Sequence, residues 1–196
     1  MQYYIYSLVC FLLPGTVWLI WNKGMIADKA YKVRHIIWIY IYLFYGYLAV
    51  QEAAGIGTIW DLIAYGKLDN SINLIPFSSE GAMTYILNII MFMPLGFLLP
   101  LIWKNFRNAK KVVLMGFLMS LAIEICQLFN IRTTDIDDLM MNTLGALAGY
   151  CCWKVFSLIF RNAGTKCVEM KKSEPVIYMF GGILGLFLLY NWRVFN

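Results

Sequence analysis

Charged side chains are scarce in this sequence: Asp, Glu, Lys and Arg make up 14% of its 196 residues, and histidine occurs once. A typical soluble domain has about 25% charged and about 45–50% apolar residues, whereas 61% of the residues here are hydrophobic. The composition therefore argues against a soluble fold. The single histidine, His35, stands at the edge of an apolar run, and we expect it at a membrane interface rather than in a metal site.

The sequence also lacks the usual marks of metal, cofactor and nucleic-acid chemistry. Its five cysteines show no C-x-x-C pair and no Cys/His ligand spacing, so we predict no zinc site, no other metal and no disulfide framework. No phosphate-binding loop or acyl-transfer nucleophile motif is present, and we predict no cofactor. The net charge of +5 comes from Lys and Arg in short loops between apolar runs, which does not favour nucleic-acid binding.

Long apolar runs are what the sequence does contain. A membrane-spanning helix needs about 20 apolar residues, and six runs approach or exceed that length, although the sixth is short. They are Tyr3–Trp21, Ile36–Gly57, Met83–Trp103, Val112–Phe129, Leu139–Phe160 and Val176–Trp192. No basic stretch precedes the first run, so we expect a retained transmembrane helix there rather than a cleaved signal peptide. The pattern predicts an all-α, polytopic transmembrane bundle of about six spans.

Between the second and third runs lies a segment of different character. Thr58–Gly66 has apolar residues on one helical face, which predicts a short interfacial helix. Lys67–Gly81 contains turn formers and is expected to be a loop, with a re-entrant stretch at 73–77. We divide the chain into an N-terminal part (1–66, two spans and the amphipathic segment), a core (67–160, three spans) and a C-terminal part (161–196, a loop and the last span).

The loop charges alternate and thereby predict the orientation of the chain. The connections after the six runs contain four, one, four, one, four and one Lys or Arg residues in turn. Loops rich in Lys and Arg remain on the cytoplasmic side. We therefore expect the N-terminus, the Lys67 loop and the Arg132 loop outside the cell, and the basic loops inside.

Polar residues concentrate near the predicted outer face. Glu124 lies in the fourth run, about 8 Å from its outer end at 1.5 Å per residue, and charged groups in spans are costly enough to suggest function. Asp135, Asp138 and Asn142 share one helical stripe, whereas Asp137 lies off it and is expected to face water. The predicted site consists of Asn73, Asn88, Glu124, Gln127, Arg132, Asp135, Asp138 and Asn142.

Two interpretations of these residues stay open at this point. In the structural interpretation, Arg132 pairs with Asp135 or Glu124 and locks two helices together. Asp135 caps the fifth helix, with Asp138 in its first turn. The Asn and Gln amides form hydrogen bonds between helices. In the functional one, the residues form a ligand site. The number of polar groups at one depth favours the site.

The same residues follow motifs that resemble those of the VanZ family of bacterial membrane proteins. The match runs from about Leu68 to Tyr150 and includes the N-L-I-P-F stretch at 73–77. The motif residues are Asn88, Pro94 and Gly96 (N-x-x-x-x-x-P-x-G), Glu124 and Gln127 (E-x-x-Q), and Arg132, Asp135, Asp138, Asn142 and Gly145 (R-x-x-D-x-x-D-x-x-x-N-x-x-G). The resemblance implies a multi-pass plasma-membrane protein with a cell-envelope role, because the named member is associated with resistance to teicoplanin, a lipid-bearing glycopeptide.

Three functional hypotheses follow, and the oligomeric state is left open. The leading one is a non-enzymatic factor, in contact with membrane lipids, that binds a lipoglycopeptide antibiotic or a lipid-linked cell-wall precursor. The second is a membrane enzyme that acts on a lipid-linked substrate through Glu124, Asp135 or Asp138 as general acid or base. A transporter is the least expected, because the sequence shows no matched pair of interrupted helices.

Overall fold

A computed structural model describes residues 2–22, 24, 29–65, 72–77, 81–129, 134–160 and 171–190. A π-helical segment, Leu48–Ala54, continues the second helix, and a 3-10 turn, Lys104–Phe106, follows the fourth. Two short strands, β1 (Ile72–Asn73) and β2 (Thr134–Asp135), pair in parallel. The helices are α1 (Gln2–Asn22), α2 (Lys29–Tyr47), α3 (Ile59–Tyr65), α4 (Ala82–Ile102), α5 (Ala109–Gln127), α6 (Ile136–Ile159) and α7 (Glu174–Leu189).

The all-α prediction is confirmed, and each apolar run corresponds to a helix. Three helical stretches in the described part of the chain are long and apolar enough to cross a membrane: Tyr3–Asn22, Ala30–Gln51 and Ala82–Ile102. Helix α5 contains three charged residues (Lys110, Lys111 and Glu124), α6 also contains three (Asp137, Asp138 and Lys154), and α7 has only 16 residues. The prediction of six spans is therefore supported for three of the runs. The amphipathic segment forms α3, as expected.

Helices α4 and α6 pack so closely that their backbones touch. A Cβ atom on Gly96 of α4 would lie 1.9 Å from the carbonyl oxygen of Ala146 on α6. Conversely, a Cβ on Gly149 of α6 would lie 2.0 Å from the carbonyl oxygen of Met93, and one on Gly145 would lie 2.4 Å from that of Ile89. Small residues at four-residue spacing permit this approach, so these two helices form a tightly joined pair.

A second close contact joins the first and last helices. A Cβ on Gly185 of α7 would lie 2.3 Å from the carbonyl oxygen of Cys10 on α1, and one on Gly182 would lie 2.6 Å from the Phe11 ring. Phe11 itself is fully buried. Helix α7 therefore packs against the start of the chain although it lies at the other end of the sequence.

A buried hydrogen bond between His35 and Glu174 connects α2 with the first turn of α7. His35 Nε2 lies 2.8 Å from Glu174 Oε1, and the Tyr178 hydroxyl donates to the same oxygen at 3.2 Å. His35 is 5% exposed and Glu174 is fully buried. The His35 ring is enclosed by the bundle, and its partner is a residue that the local sequence pattern does not reveal.

Candidate functional site

The start of α6 is tied to the loop before α4 by polar contacts. Asp135 is the N-cap of α6, and its Oδ1 accepts a hydrogen bond from the backbone N–H of Asp137 at 2.9 Å. Its other oxygen accepts a bond from Asn73 Nδ2 at 3.0 Å, next to the β1–β2 pairing. The capping role expected for Asp135 is confirmed, and the same carboxylate positions the loop at 72–77.

Asp137 does not face water, so that expectation is wrong. Its side chain is fully buried. The backbone N–H of Phe77 donates to both of its oxygens, at 2.8 and 3.0 Å, and the Tyr85 hydroxyl donates to Oδ2 at 2.9 Å. The reason is that the loop at 72–77 folds over the first turn of α6. Phe77 has a φ of 61°, a left-handed conformation that is unfavourable for a bulky residue, and the carboxylate fixes its N–H there.

A cavity of about 580 Å³ lies between the π segment, α4, α5 and α6. Five of the eight residues of the predicted site line it, together with apolar side chains of α4 and α5. Because α4 presents exposed apolar residues such as Leu87 and Ile90 beside it, the polar wall borders an apolar surface. The lining residues are Ala53, Ala54, Thr84, Leu87, Asn88, Ile90, Met91, Ile123, Glu124, Gln127, Asp138 and Asn142.

The three amides of this cavity all donate to acceptors of the protein. Asn88 Nδ2 donates to Asp138 Oδ1. Gln127 Nε2 donates to the carbonyl oxygen of Ala54, the last residue of the π segment, at 3.0 Å. Asn142 Nδ2 donates to Ser120 Oγ at 2.9 Å. These bonds connect α4 to α6, α5 to the π segment and α6 to α5, so they hold together the elements that form the cavity.

Asn142 has one atom that these contacts leave unsatisfied. The residue is 2% exposed, and its Oδ1 has no hydrogen-bond partner among the described residues. The Ser120 hydroxyl can donate or accept, so either orientation of the amide pairs one atom and leaves the other. A buried polar atom without a partner costs about 1–3 kcal/mol, and this one belongs to a residue of the cavity wall.

Glu124 is the buried acid of the cavity, with a side chain 4% exposed. Its Oε2 accepts a hydrogen bond from the backbone N–H of Asp135 at 3.2 Å. Asp135 and Asp138 lie near enough for their charges to interact with that of Glu124. Three neighbouring carboxylates at the edge of an apolar surface are costly unless hydrogen bonds or positive charge compensate them. The site is therefore suited to hydrogen-bond donors.

The remaining predicted residues lie beside the cavity or beyond the described part. Asn73 and Asp135 adjoin it through the start of α6, and Arg132 lies outside the described residues. Sequence reasoning missed Ser120 and the Ala54 carbonyl. Ser120 stands four residues before Glu124 on the same helical face, and this spacing could have identified it from the sequence. No local sequence pattern marks the π segment, to which Ala54 belongs.

The chemistry that this wall can supply is limited. Within the described ranges, no group of three or more His, Cys, Asp and Glu side chains is arranged to hold a metal ion. The described lining contains one hydroxyl, that of Thr84, and no cysteine or histidine. What it offers is carboxylate and amide groups for hydrogen bonding or proton transfer.

An all-α membrane protein with an acidic and amide-lined cavity beside an apolar surface is the class that this fold and site define. The chain belongs to the VanZ/LLP1 family, whose model matches residues 5–157. It is 34% identical over 134 residues to a protein named "Protein VanZ" from Enterococcus faecium, a match covering 67% of this chain and 77% of that relative. No solved structure matches the chain. The family resemblance read from the polar motifs is thus confirmed.

Proposed function

We propose that this protein binds a lipid-anchored amphiphile at the outer face of the bacterial plasma membrane and thereby lowers susceptibility to teicoplanin-type lipoglycopeptides. The observation that carries the proposal is the cavity in which Glu124, Asp138 and three amides adjoin the apolar side of α4. An amphiphile has a polar head for the first surface and an acyl chain for the second. A lipoglycopeptide and a lipid-linked cell-wall precursor both have this form.

The orientation in this proposal follows from the loop charges. Six spans with four, one, four, one, four and one basic residues in the successive connections keep the basic loops in the cytoplasm. The end of α5 and the start of α6, which border the cavity, then lie outside. Arg132, in the same predicted outer loop, is the residue we assign to an anionic group of the ligand.

Teicoplanin susceptibility tests this function directly. Arg132→Ala and Glu124→Ala, each at wild-type abundance in the membrane, should restore susceptibility in cells that depend on the protein for resistance. Asp61→Asn is the matched control, because Asp61 belongs to α3 and bonds only Thr58 among the described residues. A glycopeptide without an acyl chain should show no effect of the protein. Unchanged teicoplanin susceptibility in both alanine variants would rule out the proposed role.

A second candidate function is an enzyme acting on a lipid-linked substrate, favoured by the two carboxylates, Glu124 and Asp138, that face the same cavity. One could act as general acid or base. Mass spectrometry of envelope lipids and muropeptides, from cells with and without the protein, separates the two functions. A modified species that depends on Glu124 would favour the enzyme, and an unchanged profile the binder.

A further inference from the structure

We infer that the group of the ligand that enters the cavity is a primary ammonium attached to an acyl chain, in addition to the anionic group assigned to Arg132. This inference rests on the proposed function and deepens it, because it names the chemistry of the head group. It depends on the direction of the hydrogen bonds in the wall, on one unsatisfied buried oxygen and on the sign of the charges.

The donors of the wall are directed at the protein. Asn88, Gln127 and Asn142 each turn the NH₂ of their amide toward a protein oxygen, those of Asp138, Ala54 and Ser120 respectively. An anionic head group, which accepts hydrogen bonds and donates none, would have to compete with these oxygens.

The described wall, in contrast, offers a ligand more hydrogen-bond acceptors than donors. With the Asn142 amide oriented so that Nδ2 donates to Ser120, its Oδ1 has no partner among the described residues, although the residue is 2% exposed and lines the cavity. In the same part of the chain, the only donor to the Glu124 carboxylate is the N–H of Asp135, which bonds Oε2. An ammonium has three donors and no acceptor, which matches this surplus of acceptors.

The ionisable groups of the described wall are all acidic. They are Glu124 and Asp138, and no described lining residue is basic. Hydrogen bonds between charged groups are roughly twice as strong as those between neutral groups. An ammonium should therefore be preferred over a hydroxyl on an otherwise identical chain.

The apolar part of the ligand also has a place. Leu87, Ile90 and Met91 of α4 line the cavity, and the first two are more than half exposed. A chain attached to a head group beside Glu124 can lie along this side of α4. The combination distinguishes a cationic amphiphile from a free cation, which would gain nothing from these residues.

Binding of three length-matched probes to the full chain tests the inference. Dodecylammonium, dodecanol and dodecanoate are titrated into the protein in maltoside detergent at pH 7.5, and bound adducts are counted by native mass spectrometry. Dodecylammonium should bind at least about tenfold more tightly than dodecanol, and dodecanoate most weakly. Glu124→Gln should remove the preference for dodecylammonium, and Asn142→Leu should reduce it, whereas Asp61→Asn should not change it.

The outcomes separate this inference from the proposed function. Ala53→Trp fills the cavity from an exposed position of the π segment and should abolish binding of all three probes. Equal binding of the probes, sensitive to Ala53→Trp but not to Glu124→Gln, would overturn the ammonium inference and leave amphiphile binding intact. Probe binding unaffected by Ala53→Trp, or the absence of any binding, would overturn both. Thermal unfolding of each variant shows whether a loss reflects the cavity or the fold.

Discussion

Glu174 is buried beside a partner that lies 139 residues earlier in the chain, His35. Removal of His35 takes one hydrogen bond from the buried Glu174 carboxylate and leaves that of the Tyr178 hydroxyl, and hydrogen bonds to charged groups contribute about 1.5–3 kcal/mol. His35→Leu should therefore lower the free energy of unfolding by about that amount. We expect this as a clear decrease in the midpoint of thermal unfolding in detergent.

The double variant His35→Leu/Glu174→Leu provides the control for this prediction. Replacement of both members of a buried pair by apolar residues is often neutral, so the double variant should recover most of the lost stability. A double variant no more stable than His35→Leu would show that the cost comes from packing rather than from the buried charge.

Residues of the cavity could be predicted from sequence where a charged or strongly polar side chain falls within an apolar run. Glu124 is such a residue, and it lines the cavity together with four other residues of the predicted site. Asp137 was assigned wrongly because its environment depends on the loop at 72–77, which reaches it from 60 positions away in the chain. Helical periodicity describes one helix and cannot show which distant segment covers it.

The close contact between α4 and α6 leads to a prediction about how these two helices pack. Gly96→Ala would place a methyl group 1.9 Å from the carbonyl oxygen of Ala146, so the helices must separate. The variant should be destabilised by about 1–3 kcal/mol, as overpacked cores are, although alanine is intrinsically the better helix former by about 1 kcal/mol. Thermal unfolding in detergent measures this difference.

Gly81→Ala is the matched control for that substitution. Gly81 precedes α4 with a φ of −78°, and nothing lies within 4 Å of a Cβ added there. It should leave the unfolding temperature nearly unchanged. Equal effects of the two substitutions would contradict the interpretation of Gly96 as a point of backbone contact.

The loop at 72–77 should depend on the carboxylate beneath it. Asp137→Ala removes an acceptor of the Phe77 N–H and of the Tyr85 hydroxyl, and hydrogen bonds to charged groups contribute about 1.5–3 kcal/mol. Hydrogen exchange of a peptide containing Phe77 should accelerate by roughly tenfold to a hundredfold.

Tyr85→Phe removes the tyrosine's hydrogen bond to Asp137 and keeps those from Phe77. It should therefore accelerate exchange at Phe77 much less than Asp137→Ala does. Exchange at Phe77 that remains slow in Asp137→Ala would mean that the contacts of β1 with β2 are enough to hold the loop.

The helices could be predicted from sequence to within a few residues, because long apolar runs leave little choice in a membrane. The exceptions have a physical cause. The second apolar run continues without a break through α2 and the π segment, and nothing in its composition marks a change of helical type. The strands are two residues long, too short for a periodic pattern. They precede α4 and α6, and they pair where the packing of these two helices brings the segments before them together.

The topology of the whole molecule can be measured with two single cysteines in a variant without the native ones. Gly81→Cys lies in the loop predicted to be outside, and Ser173→Cys in a basic loop predicted to be cytoplasmic; both positions are exposed. A membrane-impermeant maleimide added to intact cells should label the first and not the second. Permeabilised cells should label both, and the reverse pattern in intact cells would invert the proposed orientation.

The backbone contact between α4 and α6 also has a mechanical consequence. Where helices meet through side chains, changes of rotamer allow the helices to slide or tilt. In this contact, carbonyl oxygens lie against glycine Cα atoms, and no space remains for such movement. The two helices should therefore move as one stiff body. The opposite side of the cavity is formed by the π segment, to which Gln127 donates a side-chain hydrogen bond at the carbonyl oxygen of Ala54. Any widening of the cavity for a bulkier ligand must then occur on the side of the π segment.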